Sequence, residues 1–185
     1  MHRYPSFGNA DADSLALRLF MTIEAALGEA LVACRELAPI PVPDPSTWQA
    51  SAGDERQHRQ AVVNAIFAKA FVAALSTSRK AIHELGLIEG CPGPTAEACR
   101  RFEKEYFYLT SARDTFAHPE QRMLGRGRRR EPLPGGVIAL GAFVGPRTIS
   151  ATAEDGTMVH IEVSDAMLER FRTSVDQVLE TIPSR

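Results

Sequence analysis

Arg113 and His118 stand in the stretch Ser111-Ala-Arg-Asp-Thr-Phe-Ala-His-Pro-Glu120, a guanidinium and an imidazole separated by four residues. An arginine keeps its charge at any cellular pH and presents a planar fork of donors to a phosphate, while a histidine with an ordinary pKa of about 6.5 takes or gives a proton near neutrality. Together they suit scission of a phosphodiester in RNA without a metal ion. The spacing alone is weak, since eighteen arginines and five histidines give about one such pair by chance. Asp114 lies four residues before His118 and shares its helical face. It can orient the imidazole, as carboxylates do for catalytic histidines, or the two can form a surface pair worth about 0.2–0.5 kcal/mol. Arg113 lies well round the cylinder, but Pro119 biases His118 out of helical geometry, so that it can turn towards the side on which Arg113 and Tyr106 align.

Three helices must carry this corner. Leu15, Leu19, Ile23, Leu27, Leu31, Cys34 and Leu37 recur at steps of three and four, which predicts a helix from about Asp13 to Leu37, with Asp11, Asp13 and Ser14 supplying capping oxygens. The prolines from Pro39 to Pro45 end it. A second helix is expected from about Asp54 to Leu85 on the stripe Val62, Ile66, Phe67, Ala70, Phe71, Ala74, Leu75 and Ile82, with Gly86 as its stop. This wide stripe serves either a second subunit or an ordinary bundle face. A third runs from Thr95, its only candidate cap, through Phe102, Tyr106, Leu109, Ala112 and Phe116 to Pro119. The arginine and histidine therefore sit at a helix end.

Beyond Pro119 the composition changes. Arg122, Arg126, Arg128, Arg129 and Arg130 fall within nine residues and mark 121–136 as a basic loop that can neutralise RNA phosphates or stay solvated. No aromatic residue is interleaved between them, which argues against base stacking there and for a sequence-blind grip. Val137 to Val144, Thr148 to Ala153 and Met158 to Val163 read as two or three short antiparallel strands, the last two joined across Glu154-Asp-Gly156. Ser164 caps a closing helix through Met167, Phe171, Val175 and Val178.

The whole, 185 residues with 44% hydrophobic content and a net charge of −2, is read as one domain, 1–185. The fold class expected is mainly α: an antiparallel bundle of about four helices, two of them long, with a small β hairpin or three-stranded insert at 137–163 before the last helix. Cys34, Cys91 and Cys99 are odd in number and widely spaced, against a disulfide framework or structural zinc. No signal peptide is evident, and no apolar run approaches the ~20 residues of a membrane span, so the expected setting is the cytoplasm, with no membrane partner. His58, His83 and His160 read as surface or partly buried histidines, and Glu103 and Glu105 beside Arg100, Arg101 and Lys104 as a solvated face. No Gly-rich phosphate loop, no nucleophile elbow and no catalytic carboxylate pair is found. Neither a metal nor another cofactor is expected.

The string Arg113-Asp-Thr-Phe-Ala-His118, at the end of the third of several long helices, resembles the motif of HEPN domains, many of them RNases of prokaryotic toxin-antitoxin and phage-defence systems. The likeness covers about Asp13 to His118 plus the closing helix, and departs from the frequent pattern in having Asp114 where an asparagine often follows the arginine. The resemblance implies a homodimer whose two motifs share a cleft that cuts single-stranded RNA. His118 would be the general acid or base, Arg113 the phosphate holder, Asp114 its neighbour, and Tyr106 and the five loop arginines the RNA contacts. It also implies, as a partner, an antitoxin of the small nucleotidyltransferase type. The alternative is a non-catalytic HEPN-like dimer that binds RNA, a nucleotide or a protein.

Overall fold

Helices dominate the computed structural model, which describes residues 5–37, 54–117, 142–143, 147–152 and 158–183, and a small antiparallel sheet precedes the last helix. The first helix, α1, spans Ala10–Arg35. It starts three residues before the expected Asp13 because the cap is Asn9, in extended geometry, whose side chain accepts from Ala12 N at 2.8 Å. Asp13 instead accepts from Phe7 N at 2.5 Å. The buried face of α1 carries Ala16, Ile23, Leu27, Ala30 and Cys34, and Leu15, placed inward by periodicity, is exposed. Alanine lets a partner backbone come close, and α2, Asp54–Gly86, does so. Residues 28–33 of α1 and 67–77 of α2 line a groove of about 540 Å³, and residues 21–29 line a second one with Thr77, so the two helices run antiparallel.

The core side of α2 is Ala68, Phe71, Val72, Leu75, Ile82 and Leu85, together with the polar Asn64, Ser78 and Arg79. Val62 and Ile66, on the stripe that the sequence offers to a bundle face or a second subunit, are exposed, because the apolar surface of α2 is wider than its neighbours in the chain cover. The stretch Arg59–Gly86 is also long and apolar enough by length and composition to cross a membrane, with mean hydropathy 1.5 and 44% of its most apolar window buried. The expectation that nothing approaches spanning length therefore fails for this helix, although a core helix passes the same test, and this one packs on α1 and on the two helices that follow.

The expected third helix is two. Helix α3 spans Gly93–Glu105 and α4 spans Tyr108–Ala117. The path breaks at Tyr106, with φ −105° and ψ 18°. Its ring lies 4.8 Å from that of Phe102 and 4.7 Å from that of Phe171, and its hydroxyl meets Ser174 Oγ at 3.0 Å. Both halves pack on α2 and then diverge, α3 onto the last helix and α4 onto the sheet. Thr95 is no cap. Pro92 holds that position, and the buried Thr95 Oγ1 donates to Thr181 O at 2.9 Å, tying α3 to the end of the chain. Gly86 lies where α2 meets α3, and a Cβ there would stand 2.8 Å from Cys99 Cβ. Gly90, at φ +82°, turns the chain into α3 with its backbone against Phe7 O.

Strands β2, Thr148–Thr152, and β3, Met158–Glu162, pair antiparallel with Ile149 opposite Ile161, and a two-residue strand β1, Ala142–Phe143, adds to β2. Most of the expected strand from Val137 to Val144, and the turn at Glu154 to Gly156, lie outside the described residues. Ile149, Ala151, Ile161 and Val163 are buried on the α4 side, while His160 points outward, as alternation predicts, and meets Ser150 Oγ at 2.9 Å. The last helix, α5, Asp165–Leu179, has Ser164 as its cap, accepting from Met167 N at 3.1 Å, and buries Phe171 against Phe102 and Tyr106.

Candidate functional site

Helix α4 sends Leu109 and Ala112 fully inward, so the residues beside them determine what reaches solvent near its end. Asp114 and Thr115 are buried, and Thr115 Oγ1 donates to Ser111 O at 2.9 Å. Arg113 lies over the rim with its side chain 35% exposed. Its Nε and Nη2 donate to Asp114 Oδ1 at 3.0 and 2.5 Å. One oxygen of the carboxylate that helical spacing offers to His118 thus accepts from the arginine one residue before it. A charge-assisted pair to a buried carboxylate fixes the guanidinium in one orientation. His118 lies outside the described residues, as do Arg122, Arg126, Arg128, Arg129, Arg130 and the rest of the 121–136 loop.

Tyr106 is not a partner of Arg113. It is 4% exposed, and burial raises the pKa of its phenol. The alignment seven residues apart needs one unbroken helix, which the break at Tyr106 removes. A ring packed between Phe102 and Phe171 has no face left for a base. Tyr106 instead lines, with Tyr108, Arg170 and Ser174, a groove of about 740 Å³ between the α3–α4 corner and α5, and burial pushes the Tyr108 phenol up to about 12. Arg113 does not line this groove.

What joins Arg113 is a set that the sequence reading left aside. Arg79 of α2 is 7% exposed, and its environment is shaped by Glu103, Arg113 and Asp114. Burial pushes its pKa below the ordinary guanidinium value, Glu103 opposes this, and Arg113 adds to it. Arg79 Nη1 donates to Glu103 Oε1 at 3.3 Å, while Glu103 Oε2 makes a short contact with His83 Nδ1. The Arg79 guanidinium also lies 5.6 Å from the centroid of the Phe107 ring, which it overlies. Glu103, read as a solvated charge, is thus a connector 27% exposed, and His83, 40% exposed, is held by a carboxylate. One signal for this set was present: Arg79 falls on the same helical face as Leu75 and Ile82, and a charge on a core stripe is rare unless paired.

Among the described residues no three His, Cys, Asp or Glu side chains gather as metal ligands, and Cys34, Cys91 and Cys99 are free thiols. The chain matches no family model, no curated protein and no solved structure.

Proposed function

We propose that this chain is a metal-independent endoribonuclease acting on single-stranded RNA through Arg113 and His118, in the manner of the HEPN domains that its motif resembles. The observation that carries the reading is the mounting of Arg113. A half-exposed guanidinium, fixed by a buried carboxylate one residue on and five residues before an imidazole, is a preformed seat for a phosphate. In the reaction the 2′ oxygen attacks phosphorus and the bond to the 5′ oxygen breaks; His118 either takes the proton of the 2′-hydroxyl, with water protonating the departing 5′ oxygen, or gives its own proton to that oxygen, with water taking the one from the 2′-hydroxyl. Products are a 2′,3′-cyclic phosphate and a 5′-hydroxyl, and DNA, lacking the nucleophile, resists. Arg113 holds the phosphate and balances the charge that grows on it.

In the same proposal the working unit is a homodimer with two motifs at one cleft, set in the cytoplasm, with the 121–136 arginines delivering RNA and a nucleotidyltransferase-type antitoxin restraining the enzyme. The proposal also includes a HEPN-type architecture: an antiparallel bundle of about four limbs, two of them long helices and one the bent α3–α4 pair, with a three-stranded elaboration. One observation favours the second reading, a non-catalytic RNA-, nucleotide- or protein-binding dimer. Asp114 occupies the Nε–Nη2 edge of Arg113, the fork that a phosphate prefers, and puts a negative charge beside any anion bound there.

Purified protein should cut single-stranded RNA in EDTA and leave the matching DNA intact. Arg113→Ala and His118→Ala should each lower the rate, the histidine change by about 10²–10⁴-fold. Undiminished cutting by a folded His118→Ala protein removes the imidazole from the mechanism, and intact RNA with retained binding selects the second reading.

A further inference from the structure

Phe107 occupies the break between α3 and α4 and is 55% exposed. A single exposed aromatic is ordinary on a protein surface. This one differs in its support. Arg79 overlies the ring at 5.6 Å and is itself buried, tied to Glu103 at 3.3 Å, and Glu103 is tied in turn to His83. A cation on a long flexible stem would drift over such a ring; one locked by a carboxylate and by the core holds it in place. With one side of the ring covered by the guanidinium, the exposed part is the opposite face and edge. The same guanidinium lies near enough to Arg113 for their charges to interact. An open aromatic face, rigidly backed and adjacent to a phosphate seat, is the arrangement on which proteins stack an unpaired base. It also supplies the aromatic that the arginine-rich loop lacks.

We propose that Phe107, backed by an Arg79 that Glu103 ties down, is the stacking platform for one unpaired base of an RNA strand whose phosphate rests on Arg113. This builds on the RNA reading of Arg113, but it requires only that RNA bind, whether or not it is cut. Because every base has a π face, the platform selects single strands over duplex and is tolerant of sequence.

The test uses the full chain and a fluorescent 2′-O-methyl oligoadenylate 12-mer, which binds but has no free 2′-hydroxyl to react, with a duplex of the same length for comparison. Phe107→Ala and Phe107→Leu should each weaken single-strand binding about 5- to 150-fold, the range for one lost base stack, while the leucine retains apolar bulk without a π face. Phe107→Trp should bind at least as tightly as the parent, and its added indole emission, after subtraction of the Trp48 background, should be quenched by the oligonucleotide. Met158→Ala, an equally exposed apolar site on β3, should change nothing. Unaltered affinity in Phe107→Leu, an unquenched indole, or no oligonucleotide binding by the parent protein overturns the platform. Binding lost in Arg113→Ala but indifferent to residue 107 overturns it while leaving the RNA reading in place. The Phe107 pattern in a protein that cuts no RNA upholds the platform and removes only the nuclease.

Discussion

A guanidinium that is 7% exposed needs a counter-charge within reach, and Glu103 provides it for Arg79 at 3.3 Å. The surface pairs do much less: Arg100 and Glu97, three residues apart on α3 and well exposed, gain little against screening and side-chain entropy. Glu103→Ala should therefore lower stability by about 3 kcal/mol, because it strands a buried cation, and Glu103→Gln by less, because the amide oxygen still accepts from Arg79. Urea midpoints measure this, and an alanine variant as stable as the parent would mean that water takes over the solvation of Arg79. The Arg113–Asp114 pair works at the same scale but serves orientation, since Arg113 can swing into solvent when its carboxylate is removed.

Helices close together only where backbone space permits, and two helical glycines separate this effect from propensity. Gly86 has Cys99 Cβ 2.8 Å from where its own Cβ would stand, whereas Gly28 in α1 has nothing within 4 Å. Gly86→Ala should destabilise by about 1–3 kcal/mol through overpacking of α2 against α3, and Gly28→Ala should stabilise by about 0.5–1 kcal/mol by reducing unfolded-chain freedom. Thermal midpoints moving in opposite directions bear this out, and a shared direction refutes the packing account. The break at Tyr106 is an effect of the same scale. Phe102, Tyr106, Leu109 and Ala112 keep a helical period, yet the chain bends because α3 must cover α5 while α4 covers β2. That bend carries Tyr106 into the core and leaves Phe107 outside.

Net charge of −2 gives the whole molecule no general attraction for nucleic acid, so any long-range pull must come from local clusters. The five arginines from Arg122 to Arg130 are the densest of these. If each meets one phosphate of a single strand, replacing all five with serine should reduce the slope of log affinity against log salt by about 3.5, at about 0.7 per contact. An unchanged slope means that the loop does not touch RNA. The elements themselves were legible in the sequence wherever one physical signal dominated: the 3.6-residue period of α1 and α2, the Ser164 cap, and the outward alternation of His160. Those are local properties, set by neighbours within a few residues. The sequence alone also placed Arg113 at a helix end and beside a carboxylate. Only tertiary structure decided that Asp114 is buried while accepting from Arg113, that Tyr106 is buried, and that Arg79, His83, Glu103 and Phe107 from three segments join in one cluster whose Arg79 feels the charge of Arg113, because burial and charge pairing depend on which helices pack together.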